Sequence, residues 1–79
     1  MHLYKTIKTF LFDKDYFINF FENHIHLYGF LDIVTLEEEI ATFHYETFDV
    51  QLLGSQFRVL KLTKNEILLK GEVKEMKIT

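Results

Sequence analysis

The chain has 79 residues, of which 48% are hydrophobic and 16% aromatic, and it contains no cysteine and no proline. A chain this short buries only about 60% of its unfolded surface, so we expect one domain with a dense core rather than a disordered segment. The missing cysteines exclude disulfide frameworks and thiolate metal sites, and they favour a reducing, cytoplasmic compartment. No apolar run approaches the ~18 residues of a membrane span, and the start lacks a signal-peptide pattern.

Charge is distributed unevenly along the chain. Residues 1–55 carry three lysines against nine acidic residues, which gives −6, whereas residues 56–79 carry six basic residues against three glutamates, which gives +3. The whole chain is acidic and has no aromatic and basic motif of the RNA-recognition type. We therefore expect an acidic body with a basic end, protein partners and no nucleic-acid partner.

The first element predicted in chain order is a short helix over residues 2–12, where apolar side chains recur at helical spacing. Thr6, Thr9 and the phenylalanines of this segment also suit a strand. We treat residues 1–15 as an N-terminal extension of a single domain that covers residues 1–79. After a polar break at residues 13–15, Tyr16–Phe21 and His24–Tyr28 read as two strands joined by a tight turn at Glu22-Asn23, which predicts a first hairpin.

Two further strands are predicted at residues 30–34 and 40–45. The acidic run Glu37-Glu38-Glu39 separates them, and three adjacent carboxylates are typical of a solvated turn because like charges resist joint burial. From Phe48 to Ile78 apolar residues alternate with polar ones, interrupted by a turn at Thr63–Glu66. This spacing predicts an all-β fold, mainly an antiparallel meander or curved sheet of short strands, with one short N-terminal helix.

The three glycines Gly29, Gly54 and Gly71 each follow a pair of large side chains and precede an apolar run. Glycine in such places supplies a positive φ or a bulge. We therefore expect all three to be structural residues that end one strand and curve the sheet before the next.

The runs HIHLYGFLDIVTLEEEIATF and DVQLLGSQFRVLKLTKNEILLKGEVKEMKI resemble the YabP/YqfC family of small sporulation proteins of spore-forming Firmicutes. The family pattern of a strand ending in apolar-x-Gly, an apolar strand, a four-residue turn, another strand ending in Gly and an acidic-apolar strand falls on residues 52–73. The resemblance covers roughly residues 16–78 and contains no chemical signature. It implies a non-enzymatic role in spore formation, at the coat or cortex stage, in the mother-cell compartment or on the spore, with a protein partner that is another sporulation protein or the chain itself.

Histidines offer the only candidate metal ligands that share a face. His24 and His26 lie two apart on one predicted strand, and His44 would supply a third ligand for Zn²⁺. Solvated histidines opposite the apolar Ile25 and Leu27 explain the same spacing. We therefore expect no metal and no cofactor, and keep a small-molecule or metal-binding domain that uses the His24/His26/His44 face as the alternative function.

Catalytic patterns are also missing from the sequence. The single serine, Ser55, follows a glycine in a predicted turn without a nucleophile-elbow motif, and the isolated glycines form no phosphate loop. The carboxylates Asp32, Glu46 and Asp49 define no pocket that would separate their pKa values. We expect no enzymatic activity.

Aromatic residues and strand edges are the features that point to a partner. Thirteen aromatics in one thin layer are difficult to hide, so some are expected to face a partner, although one thick core under the N-terminal helix would also accommodate them. An open sheet also has two edges with unpaired backbone groups. The sequence identifies the last strand, with Lys74, Glu75 and Lys77, as a candidate interaction edge.

Overall fold

The computed structural model describes residues 7–13, by their backbone alone, and residues 16–79. Seven antiparallel strands form one sheet in the order β1-β2-β3-β7-β6-β5-β4. The all-β, antiparallel class predicted from the alternating sequence is confirmed. The strands are β1 Ile7–Asp13, β2 Tyr16–Phe21, β3 His24–Tyr28, β4 Asp32–Leu36, β5 Ile40–His44, β6 Asp49–Leu62 and β7 Glu66–Ile78.

The predicted N-terminal helix is wrong where the structure describes it. Residues Ile7–Asp13 form β1, which pairs with β2 from Ile7 opposite Phe21 to Asp13 opposite Tyr16. Pairing with β2 gives this backbone a regular set of hydrogen-bond partners, and this tertiary contact overrides a weak helical spacing. The described residues contain no helix, and the part of the prediction on residues 2–6 lies outside them.

The first hairpin forms where the sequence predicts it. β2 and β3 are joined by Glu22 and Asn23, whose φ angles of 43° and 65° are both positive. Two positive φ angles are the requirement of a type I′ turn, whose twist matches that of the flanking strands. The following strand is shifted from the expected residues 30–34 to Asp32–Leu36, because Phe30 turns into the core instead of pairing.

The long hairpin of β6 and β7 holds the sheet together. Within β6, only residues 49–53 pair with β5, and within β7, only residues 66–70 pair with β3. The hairpin therefore belongs to two halves of the sheet. One half contains β1, β2, β3 and the turn-proximal parts of β7 and β6, and the other contains the distal parts of β7 and β6 with β5 and β4.

The two halves of the sheet meet at Gly54 and Gly71. These glycines lie inside the long strands β6 and β7, so the expectation that they end strands is wrong. Register shifts lie between Leu53 and Gly54 and between Ser55 and Arg58. A Cβ atom at Gly54 would overlap the carbonyl oxygen of Glu72, so only glycine permits this close approach of two backbones. Gly71 has a φ of 151°, a conformation that side chains disfavour.

The core lies between the two halves of the sheet. Alternate residues of β2, β3 and β7 meet alternate residues of β5 and β6, as expected for a two-layer β domain. Phe57 fills the bend at the bulges. The buried hydrophobic residues are Ile18, Ile25, Leu27, Phe30, Ala41, Phe43, Tyr45, Val50, Leu52, Phe57, Ile67 and Leu69.

Tyr45 is the one core side chain with an unsatisfied polar atom among the described residues. Its ring stacks on Phe48 at a centroid distance of 4.9 Å and meets the edge of Tyr16 at 5.5 Å. The hydroxyl is buried and has no hydrogen-bond partner within the described part of the chain. Burial raises the pKa of the Tyr45 phenol above its ordinary value, because the phenolate would lose its hydration.

We expect Tyr45→Phe to raise the free energy of unfolding by about 1 kcal/mol at neutral pH, because a buried unpaired hydroxyl is removed while the ring stays. Below pH ~10 both states of the wild-type chain hold a neutral phenol. Above it the unfolded phenol ionises first, so Tyr45 makes the folded state less stable as pH rises, by up to about 1.4 kcal/mol per pH unit. Urea titrations from pH 7 to 11 should show a shallower alkaline decline in the variant.

Tyr28→Phe is the matched control for that measurement. Tyr28 is only half-buried and stacks on Phe17 on the opposite face of the sheet from the core. Because its hydroxyl is not buried in the core, its substitution should leave the stability at neutral pH close to that of the wild type. A Tyr45→Phe variant that is less stable than wild type at pH 7 would show that the hydroxyl has a stabilising partner.

Candidate interaction edges

Four stretches of the described sheet have a partner strand on one side only. Two are the outermost strands, β1 and β4. The other two arise from the unequal lengths of neighbouring strands, because β6 and β7 have 14 and 13 residues while β5 and β3 have five each. Residues 58–62 of β6 therefore extend beyond β5, and residues 72–78 of β7 extend beyond β3. Unpaired backbone groups along such edges can accept a further strand.

Large exposed hydrophobic side chains concentrate on these edges. Among residues 16–79, every one of them lies on β4 or beside it, on residues 58–62 of β6, or at the end of β7. Leu31 and Val34 are 65% and 60% exposed, and Leu60 is 49% exposed. Apolar surface at an unpaired edge indicates a protein contact more strongly than scattered surface residues do. The full set is Leu31, Val34, Leu36, Val59, Leu60, Leu62 and Ile78.

The two apolar edges have opposite charges. The segment of residues 31–39, which contains β4, carries Asp32 and the three glutamates of the following turn, with no lysine or arginine, which gives −4. The segment of residues 58–64 carries Arg58, Lys61 and Lys64 with no acidic residue, which gives +3. We refer to residues 31–39 as the acidic edge and to residues 58–64 as the basic edge.

The basic edge continues the core of the domain. Val59 lies opposite Leu69 and Leu62 lies opposite Ile67, so both side chains are on the core face of the sheet. They remain exposed because β5 stops before it reaches them. An additional strand at this edge would cover both side chains as β5 covers the preceding part of β6.

Each of the two edges contains an irregularity at an apolar residue. The register of β4 shifts at Val34, between Ile33 and Thr35, and the register of β6 shifts at Leu60, between Val59 and Lys61. Bulges at an edge hinder flat, unselective strand pairing. They therefore favour a partner with a matching shape over indiscriminate aggregation.

The edge predicted from the sequence, at Lys74, Glu75 and Lys77, is on β7. Residues 72–78 pair with β6 on one side and with no described strand on the other. The side chains of Lys74, Glu75 and Lys77 are exposed, while Val73 and Met76 pack against the core. With Glu72, the charges of this edge cancel, so it lacks the single sign of the acidic and basic edges.

The three candidate histidines do not converge. His24 and His26 are on the outer face of β3, the face away from the core, whereas His44 is on β5, with β7 and β6 between the two strands. His26 Nε2 lies 2.5 Å from a Glu66 carboxylate oxygen, and His44 Nδ1 lies 2.6 Å from an Asp49 carboxylate oxygen. Within the described part of the chain, no three histidine or acidic side chains come together in a way that would hold a metal ion.

The aromatic side chains divide between the two faces of the sheet. Four are buried, and Tyr16, Phe20 and Phe48 pack against the core from its margin. On the outer face of β2 and β3, Phe17 stacks on Tyr28 and Phe21 stacks on His24. Part of the aromatic set therefore forms a core, without a helix in the described residues, and the expectation that other aromatics face a partner stays a prediction. The side chains of Phe10 and Phe12 lie outside the described part of the chain.

A polar groove of about 720 Å³ adjoins the bulges of the long hairpin. Backbone hydrogen bonds tie neighbouring turns to it, from Gly71 N–H to the Asn23 carbonyl and from Phe57 N–H to the Glu38 carbonyl. Its lining combines acidic and basic side chains, including Glu38, Glu72 and Arg58. Ser55 is part of this lining, where its hydroxyl donates to Glu72 at 3.5 Å. This mixed lining selects no single class of ligand.

The acidic and basic edges were not predicted from the sequence as sites. The turn at residues 63–66 was expected, and Thr63 N–H indeed donates to the Glu66 carbonyl there. The signal that would have revealed the basic edge is the run Val59-Leu60-Lys61-Leu62, in which two successive apolar residues break the period-two alternation. Such a break in an exposed hairpin is typical of a strand with apolar residues on both faces.

Comparison of the chain with protein-family models, curated proteins and solved structures gave no match. Across the described residues, no helix has the length and apolar character that crossing a membrane requires.

Proposed function

We propose that this chain is a non-enzymatic interaction and assembly component that binds protein through its free strand edges. The observation that carries the proposal is the coincidence of exposed apolar side chains with unpaired edges in residues 16–79. Main-chain groups of such an edge supply affinity for an added strand, and the neighbouring side chains supply selectivity. The resemblance to the YabP/YqfC sporulation proteins supports a setting in spore formation, in the cytoplasm of the mother cell or on the spore.

Pairing with a partner strand explains the exposed apolar side chains at these edges better than contact with solvent does. Leu31 and Val34 are more than half exposed, and Leu60 is about half exposed. A polar residue at any of these positions would be equally compatible with the pairing of its strand. An exposed hydrophobic edge is an aggregation hazard unless a partner covers it. The bulges at Val34 and Leu60 and the single sign of charge on each edge restrict which partner fits.

The test is site-specific photo-crosslinking of the full chain in the sporulating host. A photo-crosslinking amino acid in place of Val34 or Leu60 should yield a discrete crosslinked protein product, identified by mass spectrometry. The same amino acid in place of Lys70 is the matched control, because Lys70 is exposed but lies where β7 is paired on both sides. Transcript levels followed through growth and spore formation should rise during spore formation.

Two results would contradict the proposal. Equal crosslinking from residue 70 and from the edge positions would show that contacts are not made by the edges. No product from either edge position, in cells that express the chain at its normal level, would show that the edges have no partner.

A further inference from the structure

We infer that the partner of the acidic edge is the basic edge of a second copy of this chain, so that β4 of one copy adds to residues 58–62 of another. This inference rests on the proposed function and names its partner. Three properties of the two edges support it. They have opposite charges, they expose equal numbers of large hydrophobic side chains, and Val59 and Leu62 of the basic edge lie on the core face of the sheet.

Charge complementarity selects these two edges among the three whose side chains the structure describes. The acidic edge carries −4 and the basic edge carries +3, and neither contains a charge of the opposite sign. Alignment of the two strands in either direction therefore brings acid against base and leaves no like-charge contact between them. Two acidic edges or two basic edges would repel each other, and like charges juxtaposed across an interface cost several kcal/mol.

Apolar content matches as well. Each edge exposes three large hydrophobic side chains, Leu31, Val34 and Leu36 on one and Val59, Leu60 and Leu62 on the other. Ile33 of β4 packs partly against its own core, and Val59 and Leu62 lie on the core face of β6. Strand addition would therefore continue the core of one copy into that of the next and bury both apolar rows together.

The edge of β7 does not compete for either partner. Its exposed residues Glu72, Lys74, Glu75 and Lys77 alternate in sign and sum to zero, so they attract neither the acidic nor the basic edge as a whole. Charged side chains on an edge strand, lysine especially, are a common means of preventing strand addition. Association through the last strand stays a prediction from the sequence, and the charges favour the contact between the acidic and basic edges over it.

The contact joins two different surfaces of the chain. It forms either closed assemblies, in which each copy uses both edges, or open chains of copies. Both contain the same interface. Because exposed charges are screened over ~8 Å at physiological ionic strength, the attraction should weaken as salt is added, while the apolar part of the contact persists.

The experiment uses two charge-reversed variants of the full chain, alone and mixed. Arg58→Glu/Lys61→Glu makes both edges acidic, and Asp32→Lys/Glu37→Lys/Glu39→Lys makes both edges basic; all five side chains are exposed. In sedimentation velocity each variant alone should associate at least about tenfold more weakly than wild type. An equimolar mixture should regain association, because each edge then meets one of opposite charge.

Lys74→Glu/Lys77→Glu is the matched control for Arg58→Glu/Lys61→Glu: it makes the same change in net charge, from −3 to −7, on the β7 edge, leaves the acidic and basic edges intact and should still associate. Circular dichroism and thermal melts establish that each variant is folded. A wild-type chain that stays monomeric at high concentration and low salt overturns the inference, as does a mixture that fails to regain association. If edge crosslinks to a different protein are still found, the proposed function stands without the self-contact; if neither is found, both fail.

Discussion

Gly54→Val should destabilise the domain by about 3 kcal/mol or more, the largest effect we expect from one substitution. A Cβ atom at residue 54 overlaps the backbone carbonyl oxygen of Glu72 and lies 2.9 Å from the ring of Phe57. The backbone of β7 cannot move away without breaking the ladder on both sides of the bulge. Because the Cβ atom itself causes the overlap, Gly54→Ala should retain most of the loss. Urea denaturation followed by circular dichroism measures both.

Gly71→Val should also be damaging, for a partly different reason. Its φ of 151° is strained for any residue with a side chain, and a Cβ there lies 2.7 Å from the Phe57 ring. Ser55→Val is the control: Ser55 is half-buried beside Gly54, and we expect a change within about 1 kcal/mol. Equal and mild losses of stability at all three positions would show that β6 and β7 are farther apart at the bulges than the contact between residue 54 and the Glu72 carbonyl requires.

Local sequence was enough to predict most of the hairpins. Glu22-Asn23 lies between two aromatic and apolar runs, and Thr63–Glu66 is a polar break in a long apolar stretch, so both turns could be located from a few neighbouring residues. β1 was missed because its segment satisfies helical spacing, and its state is decided by pairing with β2. That information is tertiary and lies outside the segment.

The candidate interaction edges were harder to predict from the sequence, because a stretch of strand becomes an edge only where the neighbouring strand is too short to pair with it. Residues 58–62 become an edge only because β5 ends opposite residue 49, at His44, and begins opposite Leu53. Strand order likewise decides that His44 is remote from His24 and His26. The continuous course of β6 through Gly54 was also hidden, since a glycine after two leucines is equally typical of a strand end.

Leu69→Ala should reduce the free energy of unfolding by about 2–5 kcal/mol. Leu69 is fully buried on β7, where it lies between Ile25 of β3 and Val59 of β6. Both neighbouring strands are held by backbone ladders, so the cavity left by the missing side-chain atoms cannot easily collapse. Leu60→Ala makes the same chemical change at an exposed position of the same hairpin and should alter stability by only about 0.5 kcal/mol.

An insertion of two glycines between Lys64 and Asn65 tests the same hairpin from its turn. Lys64 and Asn65 are exposed, and lengthening a surface loop costs about 0.6 kcal/mol per doubling, so we expect a loss below about 1 kcal/mol. The Asn65 carbonyl, which accepts the Gly29 N–H at 2.8 Å, stays on the side of the insertion that is anchored to β7. All three variants should be compared at concentrations where the chain is monomeric, because Leu60 lies on the basic edge. A greater loss from the insertion than from Leu69→Ala would mean that the turn, rather than the core behind it, holds β6 and β7 in register.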